Sequence, residues 1–217
     1  MPLEILYEDD WLLALNKPSG IVCHTSRGHL KDSLASGLRA YFDETMKDAG
    51  IHLLGRLDKD TSGILLIAKN SVAGAMIRQS PPDTLKKTYL AFASGHFPEK
   101  HGVIDIPMGE ARDEDGILRM VREGKPALTF YEVVGETGDF SMLKLTLGTG
   151  RTHQIRFHLS ETGHPLLGDA LYGQPSPLIG RTALHAETLA FTHPFSKEHL
   201  TLFAPLPEDM RRLMENC

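Results

Sequence analysis

The 217 residues, 41% hydrophobic and 24% charged, suit one large domain whose core needs no covalent staple. Two cysteines, Cys23 and Cys217, make neither a disulfide framework nor a zinc cluster, which points to a reducing cytoplasm. No apolar stretch reaches membrane-spanning length, and the acidic N-terminus is unlike a signal peptide. The net charge of −5 speaks against bulk nucleic-acid binding, yet residues 51–90 carry a local excess of three positive charges that would draw an anionic ligand.

Along the chain, Trp11 to Leu15 reads as a strand closed by the turn Asn16-Lys17-Pro18-Ser19-Gly20. Leu34, Leu38, Tyr41, Phe42 and Met46 form a helical stripe over 33–48, ended by Gly50. Gly63 to Lys69 reads as a buried strand. Asn70 is placed to cap a helix running to about Ser80, where Pro81-Pro82 stops it. Strands are expected at 87–94, 127–134 and 141–147, then a helix over 152–162 ended by Gly163 and Pro165. Two more strands follow at 183–192 and 199–203, and Pro207 opens a short last helix. Helices interspersed among strands in hairpin-like succession, without a regular βαβ alternation, indicate an α+β fold with an extensive, largely antiparallel sheet flanked by helices. There are no repeats or linkers, so residues 1–217 read as a single domain. Neither GxGxxG nor GxxxxGK[ST] occurs, so no nucleotide cofactor is expected.

Three constellations could carry chemistry. In GRLDKDTSGILLIAKN (Gly55–Asn70), Asp58 lies two residues after Arg56 and three before a Thr61-Ser62-Gly63 turn whose N–H groups and hydroxyls are suited to hold a carboxylate. The competing reading is a loop aspartate capping a turn. In GTGRTHQIRFH (Gly148–His158), Arg151 stands at a helix entrance and Arg156 one turn inside, flanking the apolar face of Ile155 and Leu159. Arg156 needs an anion, for which Asp58 is a candidate; an ordinary surface arginine is the alternative. His153 and His158 are five apart, the wrong spacing for a zinc pair, so no metal site is expected. At Lys87-Thr88-Tyr89, period two puts Lys87 and Tyr89 on one face, where the ring would meet a base and the ammonium a phosphate; a core tyrosine is the alternative.

The order RLDKDTSG, KTY, GKPALTFYEVV (Gly124–Val134), TGRTHQIRFH, GHPLLGDALYG (Gly163–Gly173) and LHAETLAFTHP (Leu184–Pro194), preceded by NKPSG, resembles the RluA-type pseudouridine synthases over nearly the whole chain. Gly55 departs from the pattern, standing where that family commonly has a histidine. The resemblance is to the short, single-domain members without an S4 RNA-binding domain. It implies a pseudouridine synthase fold with a mixed, largely antiparallel sheet. It also implies a cytoplasmic, monomeric enzyme that isomerises uridine to pseudouridine in ribosomal or transfer RNA without any cofactor. Asp58 would then be catalytic, and Arg56, Tyr89 and Arg156 would bind the substrate nucleotide. Lys59, Lys86, Lys87 and Arg151 are the candidates for contacts to the rest of the RNA. The rival readings are an RNA-binding protein of the same fold that has lost catalysis, and a hydrolase using Asp58 with Asp60. Alternate residues of a turn seldom face each other as a hydrolase needs.

Overall fold

The computed structural model describes residues 2–24, 33–45, 50–81 and 84–215. Met46, Asp48, Pro82 and Cys217, which entered the sequence reading, lie outside them. The chain forms two compact units, one from residues 1–87 with 185–206 and the other from 88–184 with 207–217.

The first unit is built around β4 (Ser62–Ala68), a strand buried at every position. An uninterrupted apolar run is what a strand covered on both faces requires. Its antiparallel neighbours are β2 (Leu12–Lys17) and the two-residue β3 (His52–Leu53), and β1 (Glu4–Glu8) pairs with β2. On β4's other flank, β11 (Leu184–Thr192) runs parallel to it, with His185 opposite Ser62, and β12 (His199–Phe203) closes antiparallel on β11. Two helices accompany these strands, α1 (Leu34–Thr45) and α2 (Ser71–Gln79). The α1 stripe buries Leu34, Leu38 and Phe42. Asn70 caps α2 as its position predicts, its side-chain oxygen accepting from the Ala73 N–H at 2.9 Å.

The second unit carries most of β5 (Leu85–Ser94), which begins in the first. β10 (Phe140–Leu147) pairs with β5, β9 (Leu128–Glu136) with β10, and β6 (His101–Asp105) with β9, all antiparallel. A separate hairpin joins β7 (Met108–Arg112) and β8 (Leu118–Lys125). Met108, Met120 and Ala127 pack with Phe157 of α3 (Gln154–Glu161), with Ile106, Leu118 and Tyr172 around them. The last helix, α4 (Glu208–Met214), is tied to the unit by a two-pronged Arg181–Asp209 pair, with Pro207 as its cap and not its first helical residue. Within the units every pairing is antiparallel except β4–β11. This is the mixed, largely antiparallel α+β organisation expected from the sequence.

Candidate active site

The loop from Gly55 to Thr61 reaches β4 from β3, and the rest of the first unit holds it at several points. Leu57 is 5% exposed and its carbonyl accepts the Cys23 thiol at 3.1 Å. The NKPSG turn clamps the middle. The Lys59 carbonyl accepts the Gly20 N–H at 2.8 Å and Lys17 Nζ at 3.1 Å, and the Asp60 carbonyl accepts Ser19 Oγ at 2.9 Å. Lys17 is fully buried and spends its other protons on the carbonyls of Pro18 and Ile21. A lysine carrying three donors and no acceptor is stable there only because three carbonyls meet it. At the far end Gly63 has φ +112°, and a Cβ on it would lie 2.2 Å from the Ala186 carbonyl oxygen. Glycine is therefore required for β4 and β11 to approach.

Asp58 is half-buried in this clamped turn, its carbonyl accepting the Thr61 N–H at 3.2 Å. The hydroxyls beside it do not orient it as the sequence suggests. Ser62 Oγ donates to His185 Nδ1 at 2.9 Å, and His185 Nε2 donates onward to the Ala204 carbonyl at 3.2 Å. Thr61 Oγ1 is buried without a hydrogen-bond partner among the described residues. Thr61 closes the turn through its backbone, while Ser62 joins β4 to β11.

Arg56, Lys59 and Lys86 are exposed. Lys87 is brought to the loop: its Nζ lies 3.6 Å from the Cβ position of Gly55. Burial pushes the Lys87 ammonium down to about 8, against a smaller opposing effect of Cys23.

In the second unit α3 begins at Gln154, two residues later than its sequence pattern suggests, because His153 sits in the left-handed region at φ 53°. Gln154 organises the glycine-rich approach. Its Oε1 accepts the Arg151 N–H at 3.1 Å and the Thr149 hydroxyl at 2.8 Å, and its Nε2 donates to the Leu128 carbonyl and to Thr129 Oγ1. Arg151 donates through Nε to the Pro126 carbonyl at 2.9 Å.

Arg156 is 8% exposed and faces Asp169, which is fully buried. Nε and Nη2 each donate to one carboxylate oxygen at 2.7 Å. Asp169 Oδ1 also accepts the N–H groups of Leu171 and Tyr172, at 3.0 and 3.1 Å. Burial alone would raise the Asp169 carboxyl; the guanidinium and the two N–H donors outweigh it and hold the group below the usual carboxylate range. The Tyr172 ring lies under the guanidinium, 5.3 Å from Arg156 Cζ to its centroid. The Tyr172 hydroxyl meets His153 Nδ1 at 3.0 Å and accepts the Met120 N–H at 3.1 Å. Arg156 thus enters its site as a rigid, pre-oriented fork. Tyr89, 7% exposed on β5, lies opposite Leu145 of β10. Sequence reasoning selected Arg156 and Tyr89 but not Asp169, Tyr172, Gln154 or Lys17, although GDALYG and NKPSG stand out in the chain.

A profile of the family described as RNA pseudouridylate synthase matches residues 11–161. The uncharacterized RNA pseudouridine synthase YjbO of Bacillus subtilis is 41% identical over 218 residues, covering 99% of this chain and 76% of that protein. Ribosomal large subunit pseudouridine synthase D of Nitrosomonas europaea is 40% identical over 225 residues, covering 99% of this chain and 65% of its own. Among solved structures, human RNA pseudouridylate synthase domain containing 4 superposes with a TM-score of 0.76 at 25% identity, covering 98% of this chain and 92% of that one.

Proposed function

This chain belongs to the RNA pseudouridylate synthase family, and on that premise we propose that it converts uridines of ribosomal or transfer RNA to pseudouridine with Asp58 as the catalytic carboxylate. The single observation that carries the role of Asp58 is the clamped turn. A carboxylate is kept half-exposed on a backbone pinned by Lys17, Ser19, Gly20 and Cys23, an investment in position beyond what a surface loop needs. The ribosomal assignment is supported by the relative named for the large ribosomal subunit.

A stacked uridine hides its C1′ and C2′, so it must swing out of the helix to meet a side chain. The C1′–N1 bond then breaks, the base turns, and C1′–C5 forms; C5 gives up a proton and N1 gains one. The overall change is an isomerisation, with no oxidant or reductant to supply. Asp58 serves in one of two ways. It attacks the sugar to form an ester that the turned base displaces, or it removes the C2′ proton to give a glycal that later regains it. Tyr89 supplies a ring for the flipped base. Arg156 binds the substrate nucleotide, and Arg56 contacts RNA at the vacated position. Lys59, Lys86 and Arg151 contribute phosphate contacts that fix register.

Tritium release from 5-tritiated uridine in bulk RNA tests the reading. Asp58→Asn keeps shape but loses charge and basicity, so release should fall at least about 100-fold with RNA affinity retained. A variant keeping more than about a hundredth of the wild-type rate removes Asp58 from the chemistry. Mapping pseudouridines in RNA from cells with and without the protein identifies the substrate. Sites lost only from transfer RNA would turn the assignment away from the ribosome.

A further inference from the structure

We propose that the Lys87 ammonium and the gap left by Gly55 form a subsite for one backbone phosphate of the RNA, beside the loop that carries Asp58. The inference rests on the reading that the chain acts on RNA.

Geometry carries it. Gly55, at φ +111°, places no side chain over Lys87 Nζ, which lies 3.6 Å from where a Cβ would stand. The lysines drawn into the first unit elsewhere are spent. Lys17 donates to three carbonyls, and Lys69 pairs with Glu8 at 2.6 Å. Lys87 makes no hydrogen bond or ion pair among the described residues. An ammonium crowded by protein and lacking a counter-charge is costly, and an incoming anion repays that cost. Lys87 is half-buried and Gly55 beside its ammonium is exposed, so an anion can approach over Gly55. A phosphate diester fits best, because an ammonium offers three donors to tetrahedral oxygens and meets a phosphate as a point charge. Exposed Arg56, next to Gly55 in the chain, adds to the positive field there.

Burial also lowers the affinity of Lys87 for its proton, to about 8. The subsite therefore loses its charge in a range where a solvated lysine keeps it. The charged and titratable groups on the surrounding elements are Cys23 ahead of α1, Arg56, Asp58, Lys59 and Asp60 on the loop, and Lys86 on the same strand.

The test measures retention of 5-tritiated bulk RNA on filters from pH 7 to 9, with tritium release followed in the same samples. Wild-type affinity should fall roughly five- to tenfold between those limits, with the effect on turnover carried by KM and not kcat. Lys87→Met should bind about tenfold more weakly at pH 7 and stay flat to pH 9, with a salt slope reduced by about 1. Lys87→Arg keeps its charge and should hold the pH 7 affinity throughout. Lys87→Met binding like wild type at pH 7, with an unchanged salt slope, overturns the subsite. A fall in Lys87→Arg that matches wild type would assign the titration to another group and overturn it as well. If wild type binds and responds to pH as expected but releases no tritium, the synthase reading fails and the phosphate subsite stands.

Discussion

At the residue scale the chemistry depends on how firmly each charge is held. Arg156 is locked by Asp169 on two oxygens and by the Tyr172 ring on one face. Arg156→Ala should therefore strand a fully buried carboxylate, at a cost on the order of 3–5 kcal/mol, with a clear drop in melting temperature and loss of tritium release. Arg156→Lys keeps the charge without the fork and should also lose activity. A melting temperature equal to wild type for Arg156→Ala would show that the Asp169 pair is not structural. The sequence made Arg156 conspicuous, because an arginine beside an apolar helical face demands an anion. It left Asp169 silent. Asp169 lies thirteen residues on, in a turn with no periodic relation to α3, and only tertiary folding brings the two together. Lys17 was hidden for a related reason. Its protons go to backbone carbonyls, and any residue type supplies those.

At the element scale, uninterrupted or alternating apolar patterns were readable and charged ones were not. The β4, β5, β10, β11 and β12 strands and helices α1 and α2 follow from their patterns to within about two residues wherever they are described. β6, β7 and β8 were invisible because HGVID, MGEAR and LRMVREGK are rich in polar and charged side chains. Their strand character comes from pairing, which local propensity does not report. β3 is two residues long and exists only as a partner for β4. β1 pairs with β2 while keeping both its ends exposed. The β4–β11 contact gives a sharp test. Gly63→Ala puts a methyl group 2.2 Å from a backbone oxygen, at a φ of +112° that alanine resists. Neither strand can yield without breaking the pairing next to the Asp58 loop. The expected cost is at least about 2 kcal/mol from strain and overpacking, read as a lower denaturant midpoint with reduced turnover. An unchanged midpoint would mean the two strands separate at no cost, contrary to the packing described.

At the scale of the whole molecule, buried ionisable groups set how stability responds to acid. Asp9 accepts from the Tyr7 hydroxyl and from the Trp11 and Leu12 N–H groups; burial opposes its ionisation, but these donors and His193 hold its carboxyl below the usual range. Asp169 behaves alike. Carboxyls lowered on folding contribute stability that is present above their unfolded pKa of about 4 and lost as pH falls through the folded values. His158 acts earlier. It is fully buried, with Nε2 donating to the Ile106 carbonyl at 3.0 Å and Nδ1 beside the Thr129 hydroxyl at 2.9 Å. Burial lowers its pKa, so the unfolded chain takes up a proton that the folded chain refuses. Its stability is therefore complete above about 6.5 and erodes as pH falls below that. Melting should hold steady from pH 7.5 to 6.5, decline from 6.5 to 5, and decline more steeply below 4. His158→Gln retains a neutral donor and acceptor, and should lower the melting temperature at pH 7.5 while flattening the decline between 6.5 and 5. If that variant declines as steeply as wild type, the early acid response belongs to another group, and the neutral imidazole between β9 and the Ile106 carbonyl does not govern it.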